Sequence, residues 1–142
     1  MDPLLLELFQ ALAELPSKKA LRAAQHHALF MVTENIVGKL LEHYLASKLE
    51  ALGWIWCSGD VVNKVDFIRQ KPHKEFELLQ VKNKDVTENS ASAKGRGAVP
   101  KWARLKGKRA RDNWQQFPDA RGRSLLSEAD FLAYAMAIQK AW

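Results

Sequence analysis

This chain of 142 residues holds a single cysteine, fewer acids than bases, no long apolar run and no internal repeat, and each shortage removes a class of protein. The lone Cys57 excludes an internal disulfide and any multi-cysteine zinc site, so a reducing, cytoplasmic interior is the expected compartment. The opening Leu4-Leu5-Leu6-Glu7-Leu8-Phe9 is broken by Glu7, with Glu14 close behind, and has no basic stretch ahead of it. It is far shorter than the roughly 20 residues a bilayer span needs, so neither a membrane segment nor a leader is expected. What remains is a chain that is 47% apolar, enough for one ordinary core and one domain over 1–142. The deficit of acids leaves a formal charge of +6, which suits a polyanionic partner but also describes many proteins that touch no nucleic acid.

The patterning divides the chain into a helical part (1–53), strands (54–83), polar loops (84–123) and a C-terminal helix (124–142). Leu4, Leu5, Leu8, Phe9, Leu12 and Leu15 recur at helical spacing up to Pro16. Ser17 is placed to cap a second helix through about Val32. A third is expected from near Thr33 through Leu40, Tyr44 and Leu49 to a stop at Gly53. Strands follow at Trp54 to Cys57, Val61 to Gln70 and Glu75 to Asn83, separated by the turn-forming Ser58-Gly59-Asp60 and Pro72-His73-Lys74. Glu88 to Arg123 reads as loop and short irregular pieces. Ser127, with Asp130 three residues on, signals a last helix from Glu128 to about Lys140.

The chemistry concentrates between Val65 and Lys82. Asp66 lies in the extended Val65-Asp66-Phe67-Ile68, and Gln80-Val81-Lys82 lies in the next strand. A strand alternates faces, so Gln80 and Lys82 project to one side and Val81 to the other, and two oxygen ligands and one ammonium are able to meet. An Asp at a strand end beside an exposed Gln and Lys is also common in ordinary sheets.

This spacing resembles the PD-(D/E)XK nuclease superfamily, whose signature is an acid at the end of one strand, a turn, then acid-x-Lys on the next. Gln80 stands in place of the second acid, a variant also seen in Mrr-like members. Members often carry a glutamate on the preceding helix, and Gly38-Lys39-Leu40-Leu41-Glu42, followed by Leu49 and Gly53-Trp54, resembles that arrangement. Glu42 is favoured, Glu34 competes with it, and a surface pairing of Glu42 with Lys39 is the ordinary alternative. The stretch from Lys82-Asn83-Lys84-Asp85-Val86-Thr87-Glu88-Asn89-Ser90-Ala91-Ser92 to Lys101-Trp102-Ala103-Arg104 resembles type II restriction endonucleases of the SinI-like kind.

The resemblance implies an α/β fold with a restriction-endonuclease-like core, a central mixed β-sheet flanked by helices and a metal site at the ends of the second and third strands. It implies Mg²⁺- or Mn²⁺-dependent, site-specific cleavage of double-stranded DNA by a homodimer or higher homo-oligomer. The metal ligands would be Asp66, the Gln80 amide oxygen, the Val81 carbonyl and Glu42. Lys82 would orient or deprotonate water, or stabilise charge. A homing endonuclease on the same core fits a small chain. Gln80 makes one alternative credible, a DNA-binding module with little catalysis; a nuclease of the same fold acting on branched junctions is a third option.

Apart from resemblance, the segment after Lys82 has the composition of a DNA-reading surface. Asn83, Thr87, Asn89, Ser90 and Ser92 offer short donors and acceptors, and Lys84, Lys94, Arg96, Lys101, Arg104, Lys106, Lys108 and Arg109 offer charge for phosphates and guanine edges. From Lys94 to Arg123 ten Lys/Arg face only Asp112 and Asp119, an excess larger than the whole chain's +6. Gly95, Gly97 and Gly107 permit close backbone approach. Trp102 and Trp114 could stack on bases, although core is the commoner place for such tryptophans. Adjacent His26 and His27 are turned about 100° apart on a helix and do not share a metal. His43 reads as a helix-surface histidine beside Glu42, and Cys57 as a buried strand residue. The apolar residues of the first helix and of Phe131 to Trp142 read as core or as an oligomer contact.

Overall fold

From Lys19 the backbone runs as one helix of 31 residues, α1 (Lys19–Leu49), in a computed structural model that describes residues 4, 19–57, 65–73, 75–86 and 99–141. The expected break near Thr33 is absent. The Thr33 hydroxyl donates backwards to the Leu29 carbonyl (3.0 Å) and the Phe30 carbonyl (2.9 Å), so it serves the helix interior instead of capping a new one. Its buried side, Thr33, Val37, Leu40, Leu41, Tyr44, Leu45 and Leu49, follows the helical period and faces the sheet. The helix closes where the sequence places its stop. Gly53 takes φ 88°, its amide donates to the Glu50 carbonyl (3.0 Å), and the Trp54 amide donates to the Leu49 carbonyl (3.2 Å). That paired closure needs a left-handed residue, which glycine supplies without a Cβ penalty. Leu4 is helical and buried in the core; the rest of the expected first helix, through Leu15, lies outside the described residues.

The described residues form a five-stranded sheet in sequential order: β1 (Ile55–Trp56), β2 (Phe67–Gln70), β3 (Phe76–Asp85), β4 (Lys101–Lys106) and β5 (Arg111–Asp112). The β3–β4 pair is parallel and the other pairs are antiparallel, so the sheet is mixed, as expected. β3 runs two residues past its expected end. β4, β5 and a 3-10 turn (Trp114–Gln116) fall within the region read as loop and short irregular pieces, and a short helix, α2 (Ala120–Leu125), begins there and runs two residues past its end. β4 escaped because its core-facing positions are Trp102 and Arg104, and a charged residue on the buried face breaks the apolar alternation that marks a strand. The last helix, α3 (Glu128–Lys140), matches the expectation: Ser127 Oγ accepts from the Asp130 amide at 3.0 Å.

One face of the sheet (Phe67, Leu79, Trp102) packs with α1, α3, Trp54, Trp114 and Phe117 into a single core. Trp102 and Trp114 are thereby core residues, with ring centroids 5.0 Å apart, and are not available to stack on bases. In α3, Phe131 and Ala135 are buried and Leu132, Met136 and Ile138 half-buried; Trp142 lies outside the described residues. No helix among the described residues is long and apolar enough to cross a membrane.

Candidate active site

β2 pairs with β3 only as far as Phe67 opposite Leu79, while β3 continues to Asp85 alongside β4. At Gln80 the amide donates to the Pro100 carbonyl (2.9 Å), towards β4. Because directions alternate along a strand, the Val81 N–H and C=O point the other way, to the edge that β2 has left. Asp66 stands at that split. Its amide donates to the Leu79 carbonyl (2.9 Å), and its carboxylate Oδ2 accepts the Val81 N–H at 2.7 Å. The carboxylate thus satisfies a backbone donor that the departing strand leaves open.

Phe67 and Leu79 face the core, so the preceding Asp66 and the following Gln80 share the opposite face, with Lys82 two residues on. Lys82 is exposed and enters no ion pair among the described residues. Gln80 Oε1 is buried and has no hydrogen-bond partner among them. Such an acceptor costs about 1–3 kcal/mol unless a donor or a cation meets it. The donors here are hard oxygens, the Asp66 carboxylate, the Gln80 amide and the Val81 carbonyl, a set that fits Mg²⁺ or Mn²⁺. No group of three or more His, Cys, Asp or Glu able to hold a metal occurs among the described residues, so the set is poor in negative charge.

Glu42, on α1, is brought near Lys82 but does not share a groove with Asp66 or Gln80. A groove of about 500 Å³ is lined by Glu34, Gly38, Lys39 and Glu42 on the helix and by Lys82, Asn83 and Lys84 on β3. Both candidate glutamates therefore share it with Lys82. Glu42 is the better fixed: Trp56 Nε1 donates to its Oε1 (3.2 Å), and Lys39 Nζ lies 3.6 Å from its Oε2, the ordinary pairing considered above. Trp56 pairs with Phe67, and the next residue, Cys57, donates its amide to the Asp66 carbonyl (2.8 Å), which ties the Glu42 side of the groove to Asp66. Cys57 is half-buried rather than buried; burial and the nearby Asp66 charge raise its thiol pKa, so it stays protonated. His43 packs its ring against Trp56, 4.6 Å between centroids, and is no part of this groove. His26 and His27 are both exposed on α1.

One of the expected DNA contacts is corrected. Arg104 has no exposed surface: its Nε and Nη2 donate to the two oxygens of Glu128 (2.8 and 2.7 Å), its Nη1 donates to Asn83 Oδ1 (2.7 Å), and its guanidinium lies 4.7 Å over the Phe131 ring. Arg104 is consumed by the core and cannot touch DNA in this conformation, whereas Asn83, though largely buried, lines the groove beside Lys82, and its Nδ2 has no hydrogen-bond partner among the described residues. Lys84, Lys101, Lys108 and Arg109 are exposed and Lys106 is half-buried, as a backbone-contacting surface needs. Thr87, Asn89, Ser90, Ser92, Lys94 and Arg96 lie outside the described residues. Sequence reasoning missed Arg69, whose Nη1 donates to Asp119 (2.7 Å) and Nη2 to Glu77 (2.7 Å) while its guanidinium lies 4.5 Å over Trp54. Only the Arg69/Glu77 spacing, on strands joined by a short turn, hinted at it.

A mixed sheet flanked by helices, split at an Asp that faces a Gln-x-Lys strand, defines a restriction-endonuclease-like α/β core. The model of the family described as SinI restriction endonuclease matches residues 2–140, and the chain belongs to that family. It is 50% identical over 124 residues to the type II restriction enzyme SinI of Salmonella infantis, covering 85% of this chain and 54% of that one. It is 51% identical over 116 residues to the type II restriction enzyme Eco47I of Escherichia coli, covering 80% of this chain and 50% of that one. The chain thus spans about half the length of these curated relatives.

Proposed function

We propose that this chain carries the catalytic centre of a divalent-metal-dependent, site-specific endonuclease that hydrolyses phosphodiester bonds of double-stranded DNA. The observation that carries this reading is the split between β2 and β3, where Asp66 caps Val81 beside Gln80 Oε1, which has no partner among the described residues. Membership of a family named for a restriction endonuclease supports it. Asp66, Gln80 and the Val81 carbonyl would hold Mg²⁺ or Mn²⁺, with Glu42 reaching it from α1; when bound, the ion lowers the pKa of water and offsets charge on the phosphate. Lys82, exposed on the same face, orients the attacking water or takes its proton, and its ammonium offsets the charge that develops on the phosphoryl oxygens. Trp56 and Lys39 hold Glu42 in place. Two copies related by a two-fold axis would address the two DNA strands, which favours palindromic or nearly palindromic targets.

A second reading, a DNA-binding module with little catalysis, is favoured by one observation: Gln80 is neutral and the described residues hold no cluster of three acids. Digestion of a long, sequence-diverse DNA separates the two. Discrete fragments with Mg²⁺, absent with EDTA and reduced on the order of 10²-fold or more in Lys82→Ala, are expected of the nuclease. Salt-sensitive binding without cleavage, unchanged by Lys82→Ala, would leave the binding module.

A further inference from the structure

Among the described residues of α1, burial begins only at Thr33, and of residues 26–32 Leu29 alone is half-buried while the rest are exposed. Phe30, Met31 and Val32 are 41%, 50% and 48% exposed. From His26 to Gly38 the helix carries no Lys or Arg and one acid, Glu34, in a chain that has 22 Lys and Arg. Beside this stretch lies a cavity of about 470 Å³, with an apolar lining made by Val32, Ile36 and Leu40 of α1 and Ile138 of α3. Asn35, Lys39 and His43, all exposed, complete it.

Ala28, Val32, Ile36 and Leu40 stand four residues apart, so they form one ridge on the helix surface, and Asn35, Lys39 and His43 form the next. The commonest packing of two helices seats such ridges in each other's grooves at an interaxial angle of about −50°. A ridge and its groove on one helix also meet the demand of a two-fold interface, in which the same patch serves both copies and faces itself. Charge selects the same stretch. Two copies of net charge +6 repel one another, and a helix stretch without Lys or Arg is where that repulsion is least. We propose that this face of α1, with Ile138 of α3, is a homodimer interface. Ala28, Val32 and Ile36 of each copy enter the groove of the other, and Asn35 lies beside the two-fold axis. The proposal gives a surface to the two-fold assembly of the nuclease reading above, and rests on that reading for its purpose alone. Asn35 and Lys39 also line the groove of Glu42. Lys39 Nζ lies 3.6 Å from Glu42 Oε2, with 66% of the lysine side chain exposed. Covering Lys39 at the interface reduces the screening of that pair by water and strengthens its hold on Glu42, which couples assembly to the candidate site.

The test is sedimentation equilibrium of the full chain over a concentration series, for wild type, Val32→Glu and the control Lys71→Gln, which makes the same change of charge at an exposed residue after β2. Wild type is expected to dimerise. Val32→Glu is expected to raise the dissociation constant of the dimer on the order of 10²-fold, because a carboxylate is then buried in an apolar groove, and Lys71→Gln to leave it unchanged. Since Val32 is 48% exposed, Val32→Glu is expected to keep the wild-type urea midpoint at a concentration where both are monomers. In a second arm, Asn35→Cys in a Cys57→Ser background is expected to form an intermolecular disulfide on air oxidation, because a residue beside a two-fold axis faces its own copy. A wild type that is monomeric at every concentration would overturn the interface and leave the groove to another occupant. A dimer that Val32→Glu leaves intact, or that Lys71→Gln weakens equally, would place the contact elsewhere and overturn it as well. A dimer without the Asn35→Cys disulfide would overturn the two-fold crossing. All of these readouts follow assembly and none follows cleavage, so the nuclease reading stands or falls separately, in the digestion experiment.

Discussion

Arg104 and Lys82 are cations one step apart in the β3–β4 register, yet their surroundings are opposite. On the core side every direction of Arg104 is answered: two carboxylate oxygens of Glu128, the Asn83 amide oxygen and the face of Phe131. On the outer side, among the described residues, Lys82 has no ionic partner and Gln80 Oε1 has no donor. The same strands carry a closed electrostatic network on one face and an open one on the other. A buried charge must be matched at once because the low-dielectric interior penalises it. An exposed charge left unmatched costs little and stays available to a ligand.

Removing a partner from the closed face should have the largest effect. Glu128→Ala strands a fully buried guanidinium and removes the acceptor of Trp114 Nε1 (3.0 Å), so a loss of about 3–5 kcal/mol is expected in urea unfolding. Arg104→Met should be milder, since Glu128 is 24% exposed and keeps contact with water. Equal losses in the two variants would mean that the Arg104 face is not the buried one, and the contrast with Lys82 would collapse.

The open face should behave in reverse. Lys82→Ala is expected to leave stability within about 0.5 kcal/mol, as for most surface changes, while cleavage falls on the order of 10²-fold. A stability loss comparable to that of Glu128→Ala would assign Lys82 to the fold instead of the chemistry. Gln80→Glu sharpens the comparison further by adding a negative charge beside Asp66. Mg²⁺ affinity, followed by calorimetric titration, should rise about tenfold, which corresponds to about 1.4 kcal/mol. Unchanged affinity would remove Gln80 from the ligand set.

What the sequence made legible was local. Ser127 and Asp130 cap α3 within one turn, Gly53 ends α1 through its own φ, and alternation alone puts Gln80 and Lys82 on one face. What stayed hidden depends on residues far apart in the chain. The split at Asp66 follows from where β2 leaves β3, a matter of register that no local pattern encodes. β4 was lost because Arg104 occupies a buried position, and its partner Glu128 lies 24 residues away. The composition that marked Arg104 as DNA-contacting was sound for exposed residues; burial by a non-local partner reassigned it. Thr33 misled for the opposite reason, since its hydroxyl serves as readily inside a helix as at its start.

A last and smaller effect tests whether charge matching stabilises the fold away from the site as well. Asp119 is buried at the start of α2, where its carboxylate accepts from Trp54 Nε1 (2.8 Å), the Arg121 amide (3.0 Å) and Arg69 (2.7 Å). Burial pushes its pKa up, but those hydrogen bonds and the Arg69 charge outweigh it and hold the carboxyl below the usual aspartate range. A depressed folded pKa means that the unfolded chain takes up the proton first. The stabilisation is therefore complete above the unfolded value of about 3.9 and disappears as pH falls through the lower folded value. Melting temperatures measured from about pH 6 down to about pH 2.5 should fall less steeply in Asp119→Asn than in wild type, with the gap between the two widest at the upper end. Parallel curves would show that Asp119 contributes nothing to the acid limb, and would confine the closed network to Arg104 and Glu128.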